Sequence, residues 1–480
     1  MGWRSKKEEP SEKPATSDLP TLTTPTADSF PFGAPKSPAS ISNRNPFATP
    51  GSIPGTPGGA RTPGSLLRAS TTAFQLPASK GKTYFKSRRI RDPSTISKPW
   101  TEVKDPKKKW HTIFPLIGVA VGIALVGLEV WQGLGTVTNN KYCSVYDVDF
   151  TNGGQLDPNI WTKEVQVGGF GNGDFAQTTD SDENVFIRDG ELIIKPTLQD
   201  EKLINENTVI DLQKQGICTS DQWKDCHAVT NTTNGTIVNP AKSARINTKK
   251  GMSIQYGRVE VTAAIPEGDW LWPAIWMMPV EDKYGAWPAS GEIDIMESRG
   301  NNYTYQLGGN DIMSSALHWG PNVGLDSWYR TFIKRTALHT TFAKTYHTFG
   351  LEWSEKYLFT YVDNRLLQAL YVPFDGPMWP KGHFDSSDAN GTMIVDPWSQ
   401  TGNPSTPFDQ SFYLILNVAV GGTNGWFQDG LQGKPWVDAS PTSKLDFWKA
   451  RDQWLPTWEE NGEFRIKSVK MWQQAGYKGC

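Results

Sequence analysis

The sequence predicts an all-β fold, a β-sandwich over 143–480, preceded by a tail (1–109), an apolar anchor (110–131) and a linker (132–142). Three observations predict it. Period-2 alternation recurs beyond residue 140, few segments there show a capped helical period, and the chain's two ends differ in composition. Alternation is clearest over 258–265, where Val259, Val261, Ala263 and Ile265 share one face and Arg258, Glu260 and Thr262 the other. Residues 185–194 read as a hairpin through Asp189-Gly190, and 357–367 as another through Asp363-Asn364. Residues 412–420 are apolar on both faces, which marks a central strand. After Gly425 the chain is irregular and Trp-rich, so loop is expected there, with a terminal strand near 464–472. Many strands joined by Gly/Pro-rich connections suit a sandwich.

The net charge of −2 conceals a division. Residues 1–109 hold 19 Lys+Arg and 8 Asp+Glu, a balance of +11, while the remainder holds 29 and 42, a balance of −13. Thirteen of the 34 prolines fall in the first 80 residues, among Ser, Thr and Gly. Such a composition cannot offset its ordering entropy by burial, so a disordered basic tail is expected. The acidic remainder argues against nucleic acid as a partner. Between the two lies IFPLIGVAVGIALVGL (113–128), free of charge and bracketed by Trp110 and Trp131. As a helix, Trp110 to Trp131 covers about 33 Å, close to a bilayer core of roughly 30 Å. A buried core helix is the competing reading. Tryptophans at headgroup level and Lys107, Lys108 and Lys109 beside them favour a membrane.

Six Lys+Arg lie in the twenty residues before Trp110, and only Lys141 in the twenty after Trp131. The basic flank stays in the cytosol, so a single-pass type II protein is expected, with 132–480 luminal or extracellular. The apolar run begins too late for a cleaved signal peptide. Glycosylation sequons at Asn231, Asn234, Asn302 and Asn390 all follow the anchor, as do the four cysteines. Cys218–Cys226 is the natural local pair, leaving Cys143 with Cys480, out of three possible connectivities. No CxxC pair or Cys/His cluster suggests zinc, and no metal is expected.

The sharpest local feature is GEIDIME at 291–297. Side chains two apart on a strand point the same way, so Glu292 and Asp294 share a face while Ile293 and Ile295 turn to the buried one. Glu297 has the wrong parity, which one β-bulge after Asp294 corrects. Positions four strand steps apart are about 13 Å distant. Two Glu side chains leaning inward close most of that gap, towards the roughly 5–5.5 Å between carboxyls of a retaining glycosidase. Glu292 is then the nucleophile and Glu297 the general acid/base, with Asp294 separating their proton affinities. A solvated acidic strand is the alternative, but such strands alternate acids with Lys or Thr, not Ile. Trp270, Trp272, Trp276, Tyr284 and Trp287 cluster just upstream, and such rings stack on the apolar C–H faces of sugars.

GDWLWPAIWMMP (268–279) and WPASGEIDIMESRGN (287–301) resemble glycoside hydrolase family 16, especially its laminarinases and β-1,3-glucan recognition proteins. SARI (243–246), LHWGP (317–321), FGLEW (349–353) and LILNVAVGG (414–422) extend the resemblance in the family's order over nearly all of 160–475. The resemblance implies a concanavalin A-like β-jelly-roll sandwich with an open cleft and a retaining mechanism. It gives Glu292, Asp294 and Glu297 the roles that the spacing suggests. It also implies that Trp272, Trp276, Trp287, His318, Asn417 and Trp426 line the cleft, while Arg245 and Arg299 are open between cleft and strand-end ion pair. Some members carry structural calcium, but no local acidic loop demands it here, and no cofactor is required. Many animal recognition proteins of similar sequence have lost one or both catalytic glutamates, whereas this chain keeps all three acids. The anchored layout is similar to fungal family-16 proteins of wall assembly.

The expected function is therefore an anchored retaining endo-β-glucanase acting on β-1,3-containing, laminarin-like or cell-wall glucan. A wall transglycosylase and a non-catalytic glucan-binding receptor are the rivals.

Overall fold

The computed structural model describes residues 89–136, 140–387 and 390–480, so most of the expected tail lies outside them. The chain divides into two units, Met1–Lys104 and Asp105–Cys480. In the first, Asp92 caps a 3-10 turn over Pro93–Thr95, and one helical turn covers Pro99–Glu102. The second begins with a helix over Lys108–Thr136, which starts before Trp110 and continues through the expected start of the linker. The helix runs on through Gly133 and Gly135, which weaken a helix without forbidding it. Its segment Lys108–Gly133, 26 residues holding an 18-residue stretch at a mean hydropathy of 2.3, is long and apolar enough to cross a membrane.

The rest is built on two antiparallel sheets. The seven-stranded sheet runs β15 (Phe332–Thr336), β14 (Ile312–His318), β13 (Glu292–Ser298), β12 (Leu271–Pro279), β19 (Phe412–Val420), β10 (Arg245–Asn247), β2 (Thr162–Lys163). The eight-stranded sheet runs β18 (Gln368–Pro373), β17 (Tyr357–Val362), β16 (His347–Trp353), β11 (Gly257–Ala264), β20 (Phe464–Gln474), β5 (Glu191–Ile194), β4 (Val185–Arg188), and β1 (Tyr142–Asp149) also pairs with β20. Smaller sheets join β3 (Ala176–Thr178), β9 (Ala241–Ser243) and β6 (Thr197–Leu198), and β7 (Thr208–Asp211) with β8 (His227–Thr230). From β10 onward the chain crosses between the two large sheets five times, around two consecutive antiparallel runs, β12 to β15 in one sheet and β16 to β18 in the other, as a jelly roll allows.

Their inner faces share one core, with Val259 and Val261 of β11, Ile275 of β12, Ile293 and Ile295 of β13 and Phe349 of β16 fully buried. Alternation on β11 and two-faced burial on β19 follow from the side chains that predicted them. β4 and β5 meet at Asp189 (φ 52) and Gly190 (φ 76), the left-handed pair of a tight hairpin. The second hairpin differs from expectation. β17 ends at Val362 and β18 begins only at Gln368, because the Asp363 carboxylate accepts the Thr348 N–H of β16 (3.0 Å) instead of shaping a two-residue turn.

The region after Gly425 also differs from the expected loop. Short helices cover Ser443–Lys449 and Arg451–Trp454, and a 3-10 turn covers Leu455–Trp458. Aromatic packing holds them rather than a long amphipathic stripe: Phe447 stacks on Trp454 at 4.2 Å and Trp454 meets Trp458 at 4.7 Å. β20 runs two residues past the expected 472. Disulfides join Cys143 to Cys480 and Cys218 to Cys226. The four sequon asparagines, Asn231, Asn234, Asn302 and Asn390, are exposed.

Candidate active site

β13 carries the bulge that the parity of its acids requires. Against β14, Glu292 faces His318, Asp294 faces Ala316 and Glu297 faces Ser314, with a register shift between Asp294 and Glu297. Three steps on β13 thus match two on β14, and Glu297 joins Glu292 and Asp294 on the outer face. Ile293 and Ile295, fully buried, anchor the opposite face in the core. Neighbouring strands extend the outer face, with Asp294 beside Trp276 on β12, Ala274 beside Asn417 on β19, and Asn417 beside Arg245 on β10.

Indoles hold the two glutamates. Trp287 Nε1 donates to Glu292 Oε2 at 2.5 Å, and Trp272 Nε1 donates to Glu297 Oε1 at 3.0 Å. Trp272 stacks on Trp426 at 4.5 Å, and the Arg299 guanidinium lies over Trp426 at 3.9 Å. Trp276 Nε1 donates to Asn417 Oδ1 at 2.7 Å. His318 links two carboxylates: its Nε2 lies 3.3 Å from Asp294 Oδ2, and its Nδ1 lies 2.5 Å from Asp326 Oδ2. The six predicted cleft residues therefore all gather around the acids, but Trp272, Trp276 and Trp287 use their N–H groups within the protein.

The environment drives protons onto this cluster. Burial, then the neighbouring Glu292 and Glu297 charges, raise Asp294 well above the usual carboxylate range. Burial raises Glu297 to about 7, with Glu292 adding to the rise and His318 and the Trp272 hydrogen bond opposing it. Burial alone would lower His318, but Glu292 and the Asp294 and Asp326 contacts raise it well above the histidine range. The site thus contains a cationic imidazole among acids that share protons. Glu292, Asp294 and His318 do offer ligand atoms within 4.8 Å of one another. Both ring nitrogens of His318 face carboxylates, Asp294 and Asp326, so the imidazole is held between acids.

Sequence reasoning missed several groups. Asp326 has no signature beside LHWGP, since a loop returns it to His318, where Oδ1 also accepts the Trp319 and Trp328 N–H groups. Trp328 lies alongside His318, with ring centres 6.3 Å apart. The two open arginines resolve differently. Arg245 pairs with Glu164 (2.6 Å) and also lies between the Phe170 and Trp276 rings. Arg299 donates to the Trp426, Leu307 and Gly308 carbonyls, and burial lowers it to about 10.

The two-sheet sandwich carries an acid trio on a bulged strand of its outer face, and comparison with known proteins gives it a family. The sequence pattern of Glycosyl hydrolases family 16 matches residues 202–383. The Beta-1,3-glucan-binding protein of Penaeus monodon is 39% identical over 346 residues, 69% of this chain and 90% of that protein. Glucan endo-1,3-beta-glucosidase A1 of Niallia circulans is 31% identical over 319 residues, 64% of this chain and 36% of that protein. Against several insect relatives the chain spans about 60% of their length. The laminarinase catalytic domain from Thermotoga maritima superposes with a TM-score of 0.44 at 23% identity, covering 69% of this chain and 98% of that one. The chain belongs to glycosyl hydrolase family 16.

Proposed function

We propose that this chain is a membrane-anchored, retaining endo-β-glucanase acting on β-1,3-containing glucan. One observation carries the reading: the bulge sets Glu297 beside Glu292 and Asp294 in surroundings that keep it protonated up to about pH 7. Glu292, oriented by the Trp287 N–H, is the nucleophile. Its oxygen bonds the anomeric carbon while the glycosidic C–O bond breaks, and the departing oxygen takes the Glu297 proton. Trp272 occupies one Glu297 oxygen, leaving the other for that proton. Glu297 then removes a proton from water, whose oxygen displaces Glu292 and restores both groups. Asp294, protonated beside Glu292, and the His318–Asp326 pair fix where charge resides between the steps. The indoles and Asn417 supply the flat and polar contacts that sugar rings require.

Location and substrate rest on separate supports. The apolar helix Lys108–Gly133 and its basic flank support a type II anchor with the sandwich outside the cytosol. The names of the Penaeus and Niallia relatives support β-1,3-glucan as ligand. A second reading, binding without cleavage, draws on the Penaeus name; retention of all three acids favours catalysis. The full chain in detergent is expected to release reducing ends from laminarin, and Glu292→Gln is expected to lower the rate roughly thousandfold or more while retaining binding. Binding without release by the parent chain supports the receptor reading, and equal rates in parent and variant remove Glu292 as nucleophile. Oligomers longer than the substrate, seen at high oligosaccharide concentration, identify a transglycosylase, in which a sugar hydroxyl replaces water.

A further inference from the structure

Across the site sheet the groove residues fall in strand order: His318 on β14, the acids on β13, Trp276 on β12, Asn417 on β19, Arg245 on β10. The row does not stop at the sheet edge. Beyond β2, Glu164 pairs with Arg245, and the chain after it bonds to the loop closed by Cys218–Cys226, through Thr219 N to Val165 O (3.1 Å) and Val167 N to Asp225 O (2.8 Å). The loop that lays Phe170 on Arg245 rests on this same element. A Cβ on Gly168 would stand 2.2 Å from Asp225 Oδ1 and 2.8 Å from Asp225 Cα. The disulfide loop is therefore the next position in the row, five strand spacings or roughly 24 Å from β13.

That loop carries Trp223, 67% exposed, stacked on His227 with ring centres 4.5 Å apart and planes within 12°. His227 is fixed from behind, its Nδ1 2.9 Å from the Trp223 carbonyl and its Nε2 3.0 Å from Asp211. Val209 and Val229, paired across β7 and β8 on the face that bears His227 and Asp211, are also exposed. An indole backed by a pinned ring, with its other side open to water, is preorganised for a flat apolar ligand. The strip is one ring wide, far from the roughly 800 Å² per partner of a stable protein interface.

We infer that Trp223 is a remote stacking site for a β-glucan chain whose scissile bond lies at Glu292. This rests on the function proposed above and adds a preference for long chains, because only a chain several sugars past the acids reaches the loop. The test uses the full chain in detergent carrying Glu292→Gln, so that bound glucan persists, with calorimetric affinities for laminarin and for β-1,3-glucotetraose. Trp223→Ala is expected to lower the laminarin-to-tetraose affinity ratio roughly fivefold, Trp223→Tyr to restore most of it, and His227→Ala to give an intermediate loss. An unchanged ratio in a Trp223→Ala chain that melts with its parent overturns the inference and leaves the groove reading standing. Should that variant melt early, Trp223→Gln takes its place with the same expected ratio. Absence of binding to either glucan by the Glu292→Gln parent overturns both.

Discussion

Both large sheets bury carboxylates on their outward faces, and they surround them differently. On β16 of the eight-stranded sheet, Glu352 is 1% exposed, ion-paired with Arg365 and hydrogen-bonded by Tyr357 Oη at 2.8 Å. Arg258, its cross-strand neighbour, also approaches Glu260, which accepts from Tyr361 Oη at 2.7 Å. On β13 of the seven-stranded sheet, Asp294 is 2% exposed and its neighbours are two further acids, indoles and a histidine. Among the described residues, no Lys or Arg forms an ion pair with the three β13 acids. A buried acid is therefore not itself the mark of chemistry. The mark is the withholding of a permanent cation, so that a mobile proton must balance the charge.

The contrast can be broken by removing acids from either sheet. Glu297→Gln is expected to slow laminarin cleavage by roughly 10²–10⁴-fold, as loss of a general acid does. The parent rate should fall as pH rises through about 7, where Glu297 gives up its proton, and that alkaline limb should vanish in the variant's pH–rate profile. Glu352→Gln should do the reverse, costing about 1–3 kcal/mol of stability by weakening its bonds to Tyr357 and to the half-exposed Arg365, with kcat nearly retained; urea titration beside a rate assay checks it. Trp287→Phe, which keeps the ring and deletes the donor to Glu292, should lower kcat about tenfold with little change in melting temperature. The smallest effect has the opposite sign from the Glu352 change. Glu297 has a raised folded-state pKa, so its stabilising contribution is complete below the unfolded value and is lost as pH rises through about 7. Glu297→Gln should therefore raise stability at pH 8 by about 1–2 kcal/mol, and leave it unchanged near pH 4 in calorimetric melts.

What was legible in the residues follows from how local each cause is. The bulge could be inferred because parity and hydrophobicity conflict within seven residues, and only an inserted position reconciles Ile293 and Ile295 inward with three acids outward. The β4–β5 hairpin was legible because Asp-Gly encodes its own turn. Asp326 was not legible, since its contact with His318 depends on a loop path with no sequence signature. Nor were the helices around Trp448 and Trp454, where aromatic packing rather than periodicity stabilises the turns. The Asp363 turn failed for a similar reason, because a hydrogen bond to a neighbouring strand decided it.

One topological fact bears on how the protein is made. β20 lies between β11 on one side and β1 and β5 on the other, and it is the latest of the described strands in the chain. Two hundred residues separate the end of β11 at Ala264 from the start of β20 at Phe464, and at 5–20 residues per second a ribosome needs about 10–40 s to cross them. For that interval three ribbons stand with open edges, sticky to any passing chain. Closure then arrives as one final stitch, so newly made copies spend about two fifths of their synthesis with these edges unpaired.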